Sequence, residues 1–261
     1  MSCKVIMITS FKGGVGKSTI AANLACILSE GAKKTLLVDC DFRMRSLDIL
    51  LGLEDEIVHD AGDVLAGRIT LDKAVMSYSK NPDLLFLPAP FGYRDSVDAS
   101  LFAEMIEEAK EKYSLDYIIL DTPGNSGDEF LAAAGCSDLA YIVANHSFPS
   151  IRAAECTGRE LESLGVSDKK LIINMFDMSG KDSNKKPSVV EIIDKTCLML
   201  VGIVPYDQRI MLMQDRGELL ESAKESNIAK AFVNICHRTE GKSIPLFTSF
   251  RGINRRRLLD N

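Results

Sequence analysis

Seven short apolar runs constrain the fold of this 261-residue chain more than any other feature: Val5 to Ile8, Thr35 to Val38, Leu84 to Leu87, Tyr117 to Leu120, Leu139 to Val143, Leu171 to Ile173 and Leu200 to Val204. Most are continuous rather than alternating, the pattern of strands covered on both faces. Helix-length segments lie between most of them. In the stretch from Ser96 to Tyr113, Val97, Leu101, Met105 and Ala109 recur on one side, while Glu104, Glu107, Glu108 and Glu111 gather elsewhere. That spacing predicts a helix packed on a sheet. Strand and helix alternating in this way predict an α/β fold with a mainly parallel β-sheet flanked by helices. Ligands of such folds bind beyond the C-terminal ends of the strands.

The first of those ends reads Ser10-Phe11-Lys12-Gly13-Gly14-Val15-Gly16-Lys17-Ser18-Thr19, followed by a helical segment from Ile20 to Ser29. Glycines let successive backbone N–H groups curl around an anion with no Cβ in the way. The helix N-terminus adds its dipole. Lys17 supplies a cation for terminal phosphates and Ser18 a hydroxyl for Mg²⁺. The stretch Lys12, Gly13, Gly14, Val15, Gly16, Lys17, Ser18 and Thr19 is therefore expected to bind ATP with Mg²⁺. The general pattern G-x-x-x-x-G-K-[ST] is missed at its first position, where Phe11 stands.

Carboxylates follow two further strands. Asp39-Cys40-Asp41 closes the second run and Asp121-Thr122-Pro123-Gly124 the fourth. Beside a phosphate loop, such groups hold Mg²⁺ through water or orient an attacking water. Asn174 and Pro205-Tyr206-Asp207 close the last two runs.

Lys12, a second lysine at the head of the loop in K-G-G-x-G-K-[ST], resembles the deviant Walker motif of the MinD/ParA family of ATPases. The resemblance extends over roughly residues 1–235 and implies a P-loop NTPase fold of the SIMIBI, MinD-like kind. It implies a slow, partner-stimulated ATPase that dimerises with ATP. Lys12 would then reach across a homodimer to the partner's phosphates, and Asp41 would position the hydrolytic water. By the same resemblance the catalytic set is Lys12, Lys17 and Asp41, the metal set is Ser18, Asp39 and Asp121, and Asn174, Pro205 and Asp207 contact the base. The runs Arg45 to Leu53, Ile57 to Asp60, Leu87 to Pro90 and Gly202 to Asp207 are similar to the MinD branch. That branch implies cell-division site placement by ATP-dependent membrane association, with protein partners of the MinC/MinE type. A DNA-partitioning ParA and a flagellum- or pilus-positioning relative are the alternatives. The chain departs from the family pattern at Ser46, where Asn is common, at Gly124, one position early, and through Asn145 to Arg152.

A net charge of -6 argues against a surface that coats nucleic acid, so DNA is not an expected partner. The seven cysteines stand at no metal-ligand spacing and fit no closed disulfide set, as in a reducing compartment. No apolar run approaches the ~20 residues of a spanning helix. A cytoplasmic location is expected, peripheral on the membrane at most. Residues 1–240 are expected to form the ATPase domain, its last helix running from about Glu221 to His237. Residues 241–261 form a basic tail. If helical after Pro245, it sets Leu246, Phe247, Phe250 and Ile253 on one face, with Arg251 and Arg255 off it. That is the composition of an anionic-membrane anchor, although Gly252 and Arg257 interrupt it, and packing onto its own domain competes.

Overall fold

The computed structural model describes residues 3–92, 96–179 and 186–251. Each apolar run is a strand: β1 (Lys4–Thr9), β2 (Thr35–Asp39), β4 (Asn81–Leu87), β5 (Tyr117–Asp121), β6 (Leu139–Ala144), β7 (Lys169–Phe176) and β8 (Met199–Pro205). One further strand, β3 (Met76–Tyr78), is too short and too polar to register as an apolar run. The strands form one sheet in the order β3-β4-β2-β5-β1-β6-β7-β8. Every pairing is parallel except that of β3 with β4.

Alternation along each strand divides the core in two. Val5, Met7, Leu36, Val38, Ile118 and Leu120 face one side, where they meet α5 (Ala99–Tyr113), α6 (Asp128–Cys136), α7 (Phe148–Ser163) and α8 (Val189–Thr196). Ile6, Ile8, Leu37, Ile119, Tyr141 and Val143 face the other, against α1 (Lys17–Glu30), α2 (Leu47–Leu51) and α10 (Asn227–Thr239). Short helices α3 (Ala61–Leu65), α4 (Leu71–Ala74) and α9 (Gln208–Gln214) complete the helices of the described residues. Strands covered on both faces need no polar positions, which is why the runs are continuous.

Helix α5 forms where the glutamate spacing put it, but its buried stripe is Phe102, Met105, Ile106 and Ala109, and Leu101 is exposed. The Asp98 carboxylate accepts from the amides of Ser100 and Leu101, and the helix it caps turns Phe102 inward. Helix α10 starts at Asn227 rather than near Glu221, because the Ser226 hydroxyl caps it by accepting from the Ala229 amide.

Over its described residues the tail takes the packed alternative. Residues 246–251 are not an amphipathic helix: Phe247 and Ser249 adopt φ of 58° and 65°, which no right-handed helix contains. Phe247 is buried and its ring meets that of Phe250 edge-on at 5.4 Å. Asn234 on α10 donates to the Thr248 carbonyl, and Asn227 both donates to the Arg251 carbonyl and accepts from its amide. Phe247 joins the core opposite α10 while Phe250 touches both cores, so the chain passes round the β8 edge of the sheet and covers it. Ile253 and the arginines at 255–257 lie outside the described residues.

Helix α2 ends at Gly52 (φ 66°) directly against Gly217 (φ 61°) in the turn after α9. A Cβ on Gly217 would stand 2.5 Å from the Gly52 Cα, so the two backbones touch only because both residues are glycine.

Candidate active site

Strand β1 lies between β5 and β6, so the loop it feeds emerges at the middle of the sheet's C-terminal edge. Gly14 (φ 75°) and Gly16 (φ 88°) hold left-handed conformations, and nothing stands within 4 Å of a Cβ built on Gly13 or Gly14. Gly16 is the N-cap of α1, whose first residue is Lys17. The loop thus presents open backbone and a helix N-terminus to one side. Phe11, where the general pattern has glycine, is partly buried with its ring 5.1 Å from that of Phe130 on α6. The departure is therefore absorbed by packing.

Asp39 and Asp121 close β2 and β5 beside this loop. Asp39 is fully buried, and its carboxylate accepts from the amides of Asp41 (2.9 Å), Ser46 (3.1 Å) and Leu47 (3.2 Å). Burial pushes its pKa up to about 7 against those three donors. Asp121 is pushed up to about 8, first by burial and then by Asp39, against the Ser18 hydroxyl and the Lys17 ammonium. Its Oδ1 is buried with no hydrogen-bond partner among the described residues. Burial also lowers Lys17, against the pull of Asp121 and Asp41. The hydroxyls of Ser18 and Ser46 stand 3.4 Å apart. Asp41 is half-buried, its Oδ1 accepting from the amides of Arg43 (3.3 Å) and Met44 (3.0 Å).

These residues fit Mg²⁺ and a polyphosphate. A buried carboxylate oxygen without a donor, beside a serine hydroxyl, is what a hydrated Mg²⁺ satisfies. Glycine backbone with open space over it suits phosphate oxygens.

Asn174 lies against the phosphate loop. It is buried, its Nδ2 donates to the Val15 carbonyl at 2.9 Å, and a Cβ on Gly16 would lie 2.3 Å from that nitrogen. The side chain thus braces the back of the phosphate loop. Pro205 pairs with Phe176 at the end of β8. Asp207 caps α9, its carboxylate accepting from the Arg209 amide and guanidinium. Asn174 and Asp207 thus already have partners within the chain. Gln214 escaped the sequence reading: its Nε2 donates to the Thr19 Oγ1 at 2.6 Å, tying α9 to the first turn of α1. No motif marks it, since the two residues are 195 apart.

Fold and site together define a P-loop nucleoside triphosphatase. A ParA family model, described as "NUBPL iron-transfer P-loop NTPase", matches residues 2–240. The septum site-determining protein MinD of Synechocystis is 38% identical over 98% of both chains. That of Bacillus subtilis is 30% identical, over 93% of this chain and 91% of its own. Among solved structures, the MinC:MinD cell division protein complex of Aquifex aeolicus superposes with a TM-score of 0.86 at 34% identity, covering 94% of this chain and 98% of that one. MinD of Pyrococcus horikoshii, complexed with Mg-ADP, gives 0.79 at 27% identity, covering 91% and 96%. The chain belongs to the ParA/MinD family of P-loop NTPases, and it is an ATPase.

Proposed function

We propose that this protein is an ATP-hydrolysing dimerisation switch of the MinD type, acting in placement of the cell-division site. The observation that carries the reading is the grouping of Lys17, Ser18, Asp39 and Asp121 behind an open glycine loop from which Lys12 projects into solvent. A lysine so exposed is free to serve a second copy.

In this reading Lys17 binds the terminal phosphates and holds the γ-phosphate in place. Ser18, Asp39 and Asp121 hold Mg²⁺, which when bound offsets phosphate charge. Asp41, fixed by the amides of Arg43 and Met44, orients a water for in-line attack and accepts its proton. Lys12 from the second copy adds positive charge where negative charge develops. Pro205 and its neighbours supply a wall for the base, with Asn174 holding the loop beneath.

The dimer would present two copies of each surface, so weak contacts to a MinC- or MinE-type partner and to an anionic membrane would add. With Phe247 and Phe250 packed on the domain, membrane contact falls to the arginine-rich residues after 251, each basic residue adding about 1 kcal/mol near an anionic surface. Sedimentation with anionic vesicles should therefore require ATP and fall with salt.

The decisive experiment separates the two lysines. Lys17→Ala is expected to lose ATP binding. Lys12→Ala is expected to bind ATP yet stay monomeric in analytical ultracentrifugation. Wild-type dimerisation by Lys12→Ala would remove the trans role.

A further inference from the structure

The backbone just ahead of Lys12 is held from a helix 146 residues away. The Phe11 amide donates to the Thr157 hydroxyl oxygen at 3.0 Å, and that hydroxyl donates onward to the Ala153 carbonyl at 2.8 Å, one turn earlier in α7. Thr157 is fully buried, so no water stands in for either partner. Beyond Phe11 the chain is far less supported: the Lys12 amide has a long 3.3 Å contact to the Ser10 hydroxyl, and Gly13 and Gly14 have open space on their Cβ side. Phe11 is thus the last firmly anchored residue before the exposed lysine. Two contacts anchor it, the ring to Phe130 and the amide to Thr157. A ring contact alone leaves the Ser10–Phe11 peptide plane free to rock, and any tilt of that plane is passed through Phe11 to the direction in which Lys12 leaves the loop.

We propose that Thr157 is a positioning residue for Lys12, fixing its departure from the loop so that it can reach the nucleotide of a second copy. The role rests on the dimerisation reading above. Lys17 enters the site from α1 and does not depend on this anchor. The hydroxyl should therefore matter for dimerisation and not for nucleotide binding by one chain.

Thr157→Val keeps the shape and removes the acceptor, while Thr157→Ser keeps the acceptor. Thr157→Val is expected to bind ATP as the wild type does, to dimerise with ATP roughly tenfold more weakly, the scale of a buried donor left unpaired, and to exchange its Phe11 amide hydrogen faster. Thr157→Ser should restore all three. Lys12→Ala is measured alongside. If Lys12→Ala dimerises like the wild type, the dimerisation reading fails. If Lys12→Ala stays monomeric while Thr157→Val dimerises like the wild type, the positioning role alone fails. Equal loss of ATP binding and dimerisation by a folded Thr157→Val would make the residue merely structural and overturn the proposal. Should Thr157→Val not fold, exchange in the wild type decides: a Phe11 amide no slower than those of Gly13 and Gly14 would overturn the anchor.

Discussion

Asp39 and Asp121 stand in register as the last residues of neighbouring parallel strands, both buried, with three backbone donors on the first carboxylate and none on Oδ1 of the second. The fold therefore carries a charge conflict that a bound cation would relieve.

That conflict has a pH signature. The folded Asp121 value of about 8 lies above the ~4 of an unfolded aspartate. Its contribution to stability is thus complete below that lower value and lost as pH rises through the upper one. Asp121→Asn, which removes this titration, is expected to raise the melting temperature less at pH 5.5, early in that window, than at pH 9. At pH 9 it should stabilise the nucleotide-free protein, on the order of 1–3 kcal/mol. The same variant should lose the extra stability that Mg²⁺ confers on the nucleotide complex. Thermal melts at both pH values check this, and an equal effect at the two would exclude charge burial as the cause.

For Asp41, replacement by Ala should leave ATP binding and dimerisation in place while kcat falls about 10²-fold or more, the scale of a lost water-positioning group. Phosphate release by the variant at the wild-type rate would shift the role elsewhere.

Gly16→Ala meets two obstacles, a left-handed φ and the Asn174 amide 2.3 Å from the new methyl. A loss of about 1–3 kcal/mol in stability is expected, together with at least tenfold weaker ATP binding by titration. Adding Asn174→Ala should recover only part, since it removes the collision and not the backbone strain.

The tail offers a direct contrast between packed and free. Phe247→Ala should cost about 3 kcal/mol in denaturant unfolding, as for a buried phenylalanine. A midpoint identical to the wild type would mean that the aromatic pair is not docked in solution.

What the sequence revealed follows from range. Gly13, Gly14, Gly16, Lys17 and Ser18 act through local backbone geometry, so their spacing alone carried them, and Asp39 and Asp121 were legible as the residues ending apolar runs. The bracing of the loop by Asn174 and the tie from Gln214 to Thr19 span 159 and 195 residues, and no local pattern encodes such a distance. The tail stayed open for a related reason: Leu246, Phe247 and Phe250 suit a helix on a lipid surface and a turn over a sheet edge equally well. The positions of Asn227, Asn234 and Arg238 on α10, which bond to the tail backbone, decide between them.

The touching glycines give the molecule a closed mechanical circuit. Asp39 grips the amides at the start of α2, α2 runs to Gly52, and Gly52 bears on Gly217. Gly217 in turn donates its amide to the Gln214 carbonyl, Gln214 holds Thr19 in the first turn of α1, and the neighbouring Ser18 hydroxyl stands 3.4 Å from that of Ser46 at the start of α2. A ring has no loose end in which a displacement can die away. Movement of the β2 terminus is shared among all its links in proportion to their softness. With backbone pressed on backbone at one joint, compliance is left to the side-chain bonds, those of the Asp39 carboxylate at one end and that of Gln214 to Thr19 at the other.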